Sequence, residues 1–323
     1  MLRPILPVLC ALPVLLAAAR ADVTFEEKPD RVSVKINGSL FTEYRHGDSS
    51  HIYYYPLIGP DGAKMTRSFP MEKVEGESTD HPHHRSMWFS HGFVNGVDFW
   101  SEAATFGAKP PKNPIGKTEH VKVLAMEPGA KVGVLKTAQN WTMPDGSSAL
   151  TSVQTLRIHA GPETERMLDF EVTLKAGDKD AIFGETKEGS AALRIADSMR
   201  VKQGKSPGVG HILNSEGLKD TAVWGQHSKW VTMAGPIDGK SYAITFMDHP
   251  SNPRNPTRWH ARDYGLFAAN PFCEYDMDKT QPKGSGDYTL KAGQSITLKY
   301  RILITQGDEN AAKQNERYAE FAK

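Results

Sequence analysis

The sequence predicts an all-β protein: a large antiparallel β-sandwich with one C-terminal helix. Three observations carry that prediction. Apolar and polar residues alternate along most of the chain, tight-turn dipeptides punctuate the alternating runs, and helical periodicity is confined to the C-terminal end. A content of 39% hydrophobic residues, with 28 glycines and 21 prolines, suits a turn-rich chain that buries a core and excludes disorder, collagen and coiled coil.

The elements follow in order. Val32, Val34 and Ile36 alternate with Arg31, Ser33 and Lys35, which puts the apolar set on one sheet face, and Asn37-Gly38 makes a hairpin turn. His51 to Leu57 ends at Gly59-Pro60-Asp61-Gly62, Val121 to Met126 at Pro128-Gly129, and Lys131 to Met143 at Pro144-Asp145-Gly146. Ser148 to His159, Met167 to Lys175, Lys229 to Met233, Tyr242 to Met247 and Ser295 to Thr305 read as further strands. Asp308 is placed to cap a helix from Glu309 to Phe321. The proline-rich stretch from Phe106 to Lys117 is read as a rim loop, so residues 22–323 are expected to form one domain.

Residues 1–21 read as an export signal. Arg3 supplies the positive start, Ile5 to Ala19 is an apolar run, and Ala19-Arg20-Ala21 is a small-x-small cleavage site. The expected location is periplasmic or secreted, after cleavage near Ala21. The run is short for a bilayer span, and no later segment could make one. Without the signal the chain keeps one thiol, Cys273, and forms no internal disulfide. The net charge of +1 supplies no field for nucleic acid or an anionic membrane, so a nucleic-acid partner is not expected.

Polar chemistry concentrates in three segments. The first, residues 80–92, holds four of the 12 histidines, His81, His83, His84 and His91, with Arg85 and Trp88. Run as a strand, it would put His83, Arg85, Met87, Phe89 and His91 on one face and His84, Ser86, Trp88 and Ser90 on the other. Imidazole passes a proton or binds metal near neutral pH, and a guanidinium fixes a hydroxyl or carboxylate. Asp98, shortly after, either orients a histidine or caps a turn. The second segment holds Glu185 and Glu188, candidate general bases, with Lys187 to keep one ionised and Arg194 beyond. The third, from Asp248 to Arg262, is stiffened by Pro250, Pro253 and Pro256 and carries His249, Arg254, Trp259, His260 and Arg262. An indole beside cationic donors suits stacking on a sugar ring.

Other templates fail. There is no Gly-x-Ser-x-Gly elbow, no Gly-x-Gly-x-x-Gly or Walker loop and no His-Glu-x-x-His helix. His81-x-His83 resembles the opening of a cupin metal motif, but Met87 and Trp88 stand where its glutamate belongs. No cofactor is therefore expected. A divalent metal held by His81, His83, His91 and a partner from the segment Asp248 to Arg262 is the alternative.

The string from Asp80 to Trp100, DHPHHRSMWFSHGFVNGVDFW, resembles the signature of the PmoA-like bacterial family, and residues 184–194 and 247–272 resemble its second and third blocks. That resemblance implies a β-sandwich of the aldose-epimerase type, a supersandwich whose concave sheet face carries histidines and a carboxylate used on sugars. The expectation is an exported, carbohydrate-active protein acting on a sugar or glycoside. His84 or His91 would serve as acid and Glu185 or Glu188 as base, with His260 a further catalytic residue and His81, His83, Arg85, Trp88, Asp98, Lys187, Arg194, His249, Arg254, Trp259 and Arg262 around the ligand. A metal-dependent oxidoreductase or hydrolase, and a non-catalytic sugar-binding or structural surface protein, are the competing readings.

Overall fold

A computed structural model describes residues 22–204, 206–307 and 310–323. The expected signal, residues 1–21, and Asp308 lie outside the described residues.

Two antiparallel sheets of eight strands each form the body of the fold, with two two-stranded sheets, Ala181–Phe183 with Tyr288–Leu290 and Lys202–Gln203 with Ser206–Pro207, in addition. The first runs, in spatial order, Val23–Lys28, Arg31–Ile36, Ser39–Arg45, Tyr53–Tyr54, Met87–His91, Gly189–Arg194, Leu266–Asn270 and Arg258–Trp259. The second runs His211–Asn214, Trp230–Ile237, Lys240–Asp248, Ser295–Gln306, Glu165–Lys175, Ser148–His159, Val132–Thr142 and Lys117–Glu127. Turns fall where the sequence puts them. Asn37 and Gly38 both take positive φ, 52° and 79°, the conformation a two-residue hairpin turn requires.

Strands that the sequence hid are those buried on both faces. Gly189–Arg194 (GSAALR) and Leu266–Asn270 (LFAAN) are buried at every position, so they show no alternation to read. The run from His51 to Leu57 contributes only Tyr53–Tyr54 to the sheet, since Pro56 cannot donate to a ladder.

The core lies between the sheets. Met87, Phe89, Ala191, Leu193, Phe267 and Ala269 point inward from the first sheet to meet Leu156, Ile158, Leu168, Phe170, Ile302 and Ile304 of the second. Each large apolar side chain enclosed there contributes about 1.5–3 kcal/mol.

The outer faces are covered differently. On the second sheet, the helix Ala311–Phe321 lays Tyr318 and Phe321 against Leu213, Trp230, Met247 and Leu303. Asn310 caps that helix by accepting from the Lys313 backbone N–H, and Trp230 Nε1 donates to Asn315 Oδ1 at 3.0 Å. On the first sheet the cover is a polar, aromatic layer. Trp88 stands outward on Met87–His91, with Ala192 as its cross-strand partner, and clusters with Ala268, Tyr53, Tyr55, Trp100 and Leu266. The alanines leave room for the indole, and the candidate site is built on it.

Candidate functional site

The site grows outward from Trp88. His84 stacks on its indole, with ring centroids 5.4 Å apart. His81 stacks on His84 at 4.8 Å and on Tyr264 at 5.1 Å. Strand periodicity sets this layer on the Arg194 side, because Trp88, Ala192 and Arg194 all point to the outer face. Arg194 lies over the Tyr264 ring at 4.8 Å and shares Asp80 with Arg67. Nη2 of Arg194 reaches Asp80 Oδ1 at 2.8 Å and Nη1 of Arg67 reaches it at 2.5 Å. Burial would raise the Asp80 pKa, but the hydrogen bond with His81 and the charges of Arg194 and Arg67 outweigh it and hold the carboxyl below its usual range.

Two imidazoles carry opposite hydrogen-bonding poles. Arg194 Nη1 donates to His84 Nδ1 at 3.3 Å; a guanidinium only donates, so Nδ1 is the lone-pair nitrogen and Nε2 carries the hydrogen. His260 Nδ1 faces the Lys187 carbonyl at 2.9 Å; a carbonyl only accepts, so here Nδ1 carries the hydrogen and Nε2 the lone pair. Neither Nε2 has a hydrogen-bond partner among the described residues. Burial holds both rings neutral, well below the usual imidazole pKa. His83 and Arg194 add to the effect at His84, as Lys187 and Arg262 do at His260. His83, whose Nδ1 is 2.9 Å from Thr105 Oγ1, is pushed down to about 2 by burial and then by His81.

Arg262 closes the layer. Its guanidinium lies 4.7 Å from the Trp224 ring centroid and 5.4 Å from that of Tyr264. Trp224 also meets the His260 ring, edge on, at 4.8 Å. Arg262 lines a cleft of about 600 Å³ with Asp80, Arg200, Lys202 and Tyr264, and a second of about 210 Å³ with Thr221 and Trp224. His84 and His260, both buried, lie beneath the layer whose Asp80, Arg262 and Tyr264 line the larger cleft.

The structure brings His81, His83, His84, His260, Arg194 and Arg262 together and gives several other candidates different work. Residues 83–86 turn rather than extend, with Ser86 at φ 54°, so the expected alternation begins only at Met87. His91 points into the core, 5.6 Å from the Phe183 ring and 5.4 Å from Phe272, and donates to the Gly184 carbonyl. Glu185 is not available as a base: its carboxylate accepts the backbone N–H groups of Glu274, Tyr275, Asp276 and Gly284 and pins that loop. Trp259 is fully enclosed against Phe246, its Nε1 donating to the Ser228 carbonyl. Arg254 holds the carbonyls of Pro271, Gly286 and Asp287. His249 packs on Phe321, under the C-terminal helix on the other sheet. Asp98 caps the turn at Trp100 and Ser101 rather than orienting a histidine, and burial raises its pKa. Trp88 is floor rather than wall, with no exposed surface. Arg85 pairs with Glu102 through Nε and Nη2 at 2.5 and 2.8 Å, over the Tyr53 ring. Lys187 pairs with Glu188, whose Oε2 is 3.9 Å from His260 Nδ1.

For the metal alternative, no group of three His, Cys, Asp or Glu side chains among the described residues is arranged to hold an ion. The sequence reading missed Tyr264, Trp224, Arg67, Arg200 and Lys202. Tyr264 was findable, since His260, Arg262 and Tyr264 recur at a period of two. The others carry no local signal, because folding alone brings them to the cleft.

These features define a β-sandwich protein with two buried histidines of opposite tautomer on the outer face of one sheet. The chain belongs to a family of unknown function, DUF6807, whose model matches residues 31–319. This match corrects the PmoA-like resemblance, to which nothing ties the chain. No curated protein matches the sequence. Among solved structures the chain is similar to a galactose mutarotase related enzyme from Lactobacillus acidophilus, with TM-score 0.34 and 8% identity over 88% of this chain and 97% of that one. It is also similar to galactose 1-epimerase from Lactobacillus acidophilus NCFM, with TM-score 0.37 and 9% identity over 88% and 98% of the two chains. A third is a GalM/aldose epimerase homologue from C. elegans, with TM-score 0.34 and 6% identity over 90% and 100%. The two eight-stranded sheets define the fold class by themselves. No helix among the described residues is long and apolar enough to cross a membrane.

Proposed function

We propose that the protein binds a saccharide in the cleft beside Tyr264 and Arg262 and transforms it by proton transfer, with His260 Nε2 taking a proton and returning it to the product, and His84 Nε2–H donating a hydrogen bond to the sugar oxygen on which charge develops. The observation that carries this reading is the opposite tautomers of the two rings, each fixed by a partner that can only donate or only accept. At pH 7 neutral His260 can take a proton, a step that typically supplies 10²–10⁴-fold, while neutral His84 keeps its own proton and stabilises developing charge as a hydrogen-bond donor. Glu188, 3.9 Å from His260 Nδ1, is a positioning residue that stabilises the imidazolium formed when His260 takes a proton. Arg262, placed over Trp224 and Tyr264 at the cleft, suits the hydroxyls of a pyranose. Epimerisation, elimination and hydrolysis all use this pair, so the reaction class is read from product. On this reading residues 1–21 direct export, which N-terminal sequencing of the purified protein tests.

The experiment is a panel of mono- and disaccharides, followed by calorimetry for binding and by NMR in D₂O for turnover and deuterium incorporation. Expected are binding of at least one sugar and a loss of about 10²-fold or more in turnover in His84→Gln and in His260→Gln, with the sugar still bound. A panel without binding, or turnover intact in both variants, would overturn the proposal.

A further inference from the structure

The charges at the cleft go beyond what a neutral sugar needs. Asp80, Arg200, Lys202, Arg262 and Asp263 line it. Their ion-pair partners are Arg67 and Arg194 on Asp80, and Asp197, which holds Arg200 at 3.1 Å. Five cations therefore face three carboxylates, an excess of two positive charges, in a chain whose whole net charge is only +1. The excess is local and built. Two guanidinium groups with fully enclosed side chains are spent on one carboxylate, and Arg194 is desolvated enough that its pKa falls to about 10.

Arg262 is the group left over. It is half-buried, its guanidinium lies over both the Trp224 and the Tyr264 ring, and no carboxylate or carbonyl accepts from its side chain among the described residues. Contact with the two rings holds the guanidinium in place and leaves its N–H donors for a planar or tetrahedral anion. Lys202, exposed and without an ion-pair partner among the described residues, stands on the same cleft.

We propose that the ligand is an anionic sugar whose carboxylate, sulfate or phosphate group pairs with Arg262, with Lys202 at the rim. This rests on the saccharide reading above and adds its charge. It also orients the ring: Trp224 contacts both Arg262 and His260, so the acidic substituent lies at the end of the ligand nearest the His260 base.

The test is calorimetric, on the whole protein, with matched probes: glucuronate and galacturonate against glucose and galactose, glucose 6-phosphate, and inorganic phosphate alone. Expected is about 10- to 100-fold tighter binding of an acidic sugar than of its neutral counterpart, weakening as salt rises. Arg262→Gln should abolish that preference. Lys202→Gln, at an exposed position that does not threaten the fold, should reduce it by a few-fold. Preference for phosphate over carboxylate, or the reverse, names the anion. If neutral sugars bind as tightly as acidic ones, or if the preference survives Arg262→Gln, the anionic inference fails while the saccharide reading stands. If no sugar binds but inorganic phosphate does, and Arg262→Gln abolishes it, the anion subsite stands and the saccharide reading fails. If nothing binds, both fail.

Discussion

Acid should unfold this protein well before its carboxylates titrate, because the imidazoles around the site are buried in the neutral form. Burial pushes His51 and His91 down to about 4, with neither ring paired to a carboxylate closely enough to offset it. The unfolded chain binds a proton at each near pH 6.5 and the folded chain does not, so their stabilisation is complete above pH 6.5 and is lost as pH falls toward 4. At pH 5 the linkage relation gives a loss of about 2 kcal/mol for each. His83, His84 and His260 add to the loss with the same sign. Asp248 opposes it. Burial raises that carboxyl to about 6 against its Asn252, Asn255 and Thr257 donors, which favours the folded state on acidification by about 1.4 kcal/mol at pH 5. Against a typical domain stability of about 5–15 kcal/mol, the balance is large. The assay is urea unfolding at intervals from pH 8 to pH 5, followed by tryptophan fluorescence. Wild type should lose several kcal/mol across that range, and the double variant His51→Gln/His91→Gln should lose about 4 kcal/mol less by pH 5. A flat profile, or a double variant as acid-sensitive as wild type, would refute the claim that these rings are neutral. The assignment of a hydrogen-bond donor to His84 and a proton acceptor to His260 would then lose its footing as well.

Glu185→Ala should cost about 1–3 kcal/mol and expose the loop at residues 274–284 to hydrogen exchange, since it orphans four backbone N–H donors. Because Glu185 lies apart from the histidine pair, sugar affinity in the folded fraction should be unchanged; a selective loss of turnover would restore it as a base. His249→Ala should loosen the C-terminal helix, read as a lower thermal midpoint, and leave ligand binding intact. Glu188→Gln should lower kcat with little change in KM and shift the acid limb of the pH–rate profile. No shift would mean that Glu188 acts only on Lys187.

What was legible in the sequence was whatever repeats locally. Ser148–His159 ends where its alternation ends, because one face of that strand looks into the core and the other does not. Arg258–Trp259 and Leu266–Asn270 hide for the opposite reason, being enclosed on both sides. The density of histidines in residues 81–91 singled out the segment but grouped His83 and Arg85 with His91 on one face, and counting alone could not separate His84 from His91. Strand parity sends His91 inward with Met87 and Phe89, and only a fixed start of the strand at Met87 reveals that. Glu185 shows a second limit. A carboxylate in a glycine-flanked turn reads as a base until its loop partner, nearly a hundred residues later, donates four N–H groups to it.

The same sheet explains why the site is where it is. Its inner face must be apolar to meet the second sheet, so polar chemistry is possible only on the outer one. There, Ala192 and Ala268 are small enough to seat Trp88, and a flat indole is a platform on which imidazole stacks without a hydrogen bond of its own. Stacking leaves the edges of His84 free to be set by neighbours, and Arg194, two residues beyond Ala192 on the same strand, sets Nδ1. His260 reaches the layer from the neighbouring segment, where its backbone N–H pairs with the Ala268 carbonyl, and Lys187 sets its Nδ1. Each tautomer is thus fixed by a group on the sheet or next to it rather than on a distant mobile loop. Swapping the poles is therefore the sharpest perturbation of the mechanism. Arg194→Gln, which puts an acceptor as well as a donor beside His84 Nδ1, should let the ring exchange tautomers and depress turnover while Asp80 keeps Arg67. The ¹⁵N chemical shifts of His84 would report the exchange directly. An unchanged tautomer with lost turnover would assign Arg194 to the ligand instead.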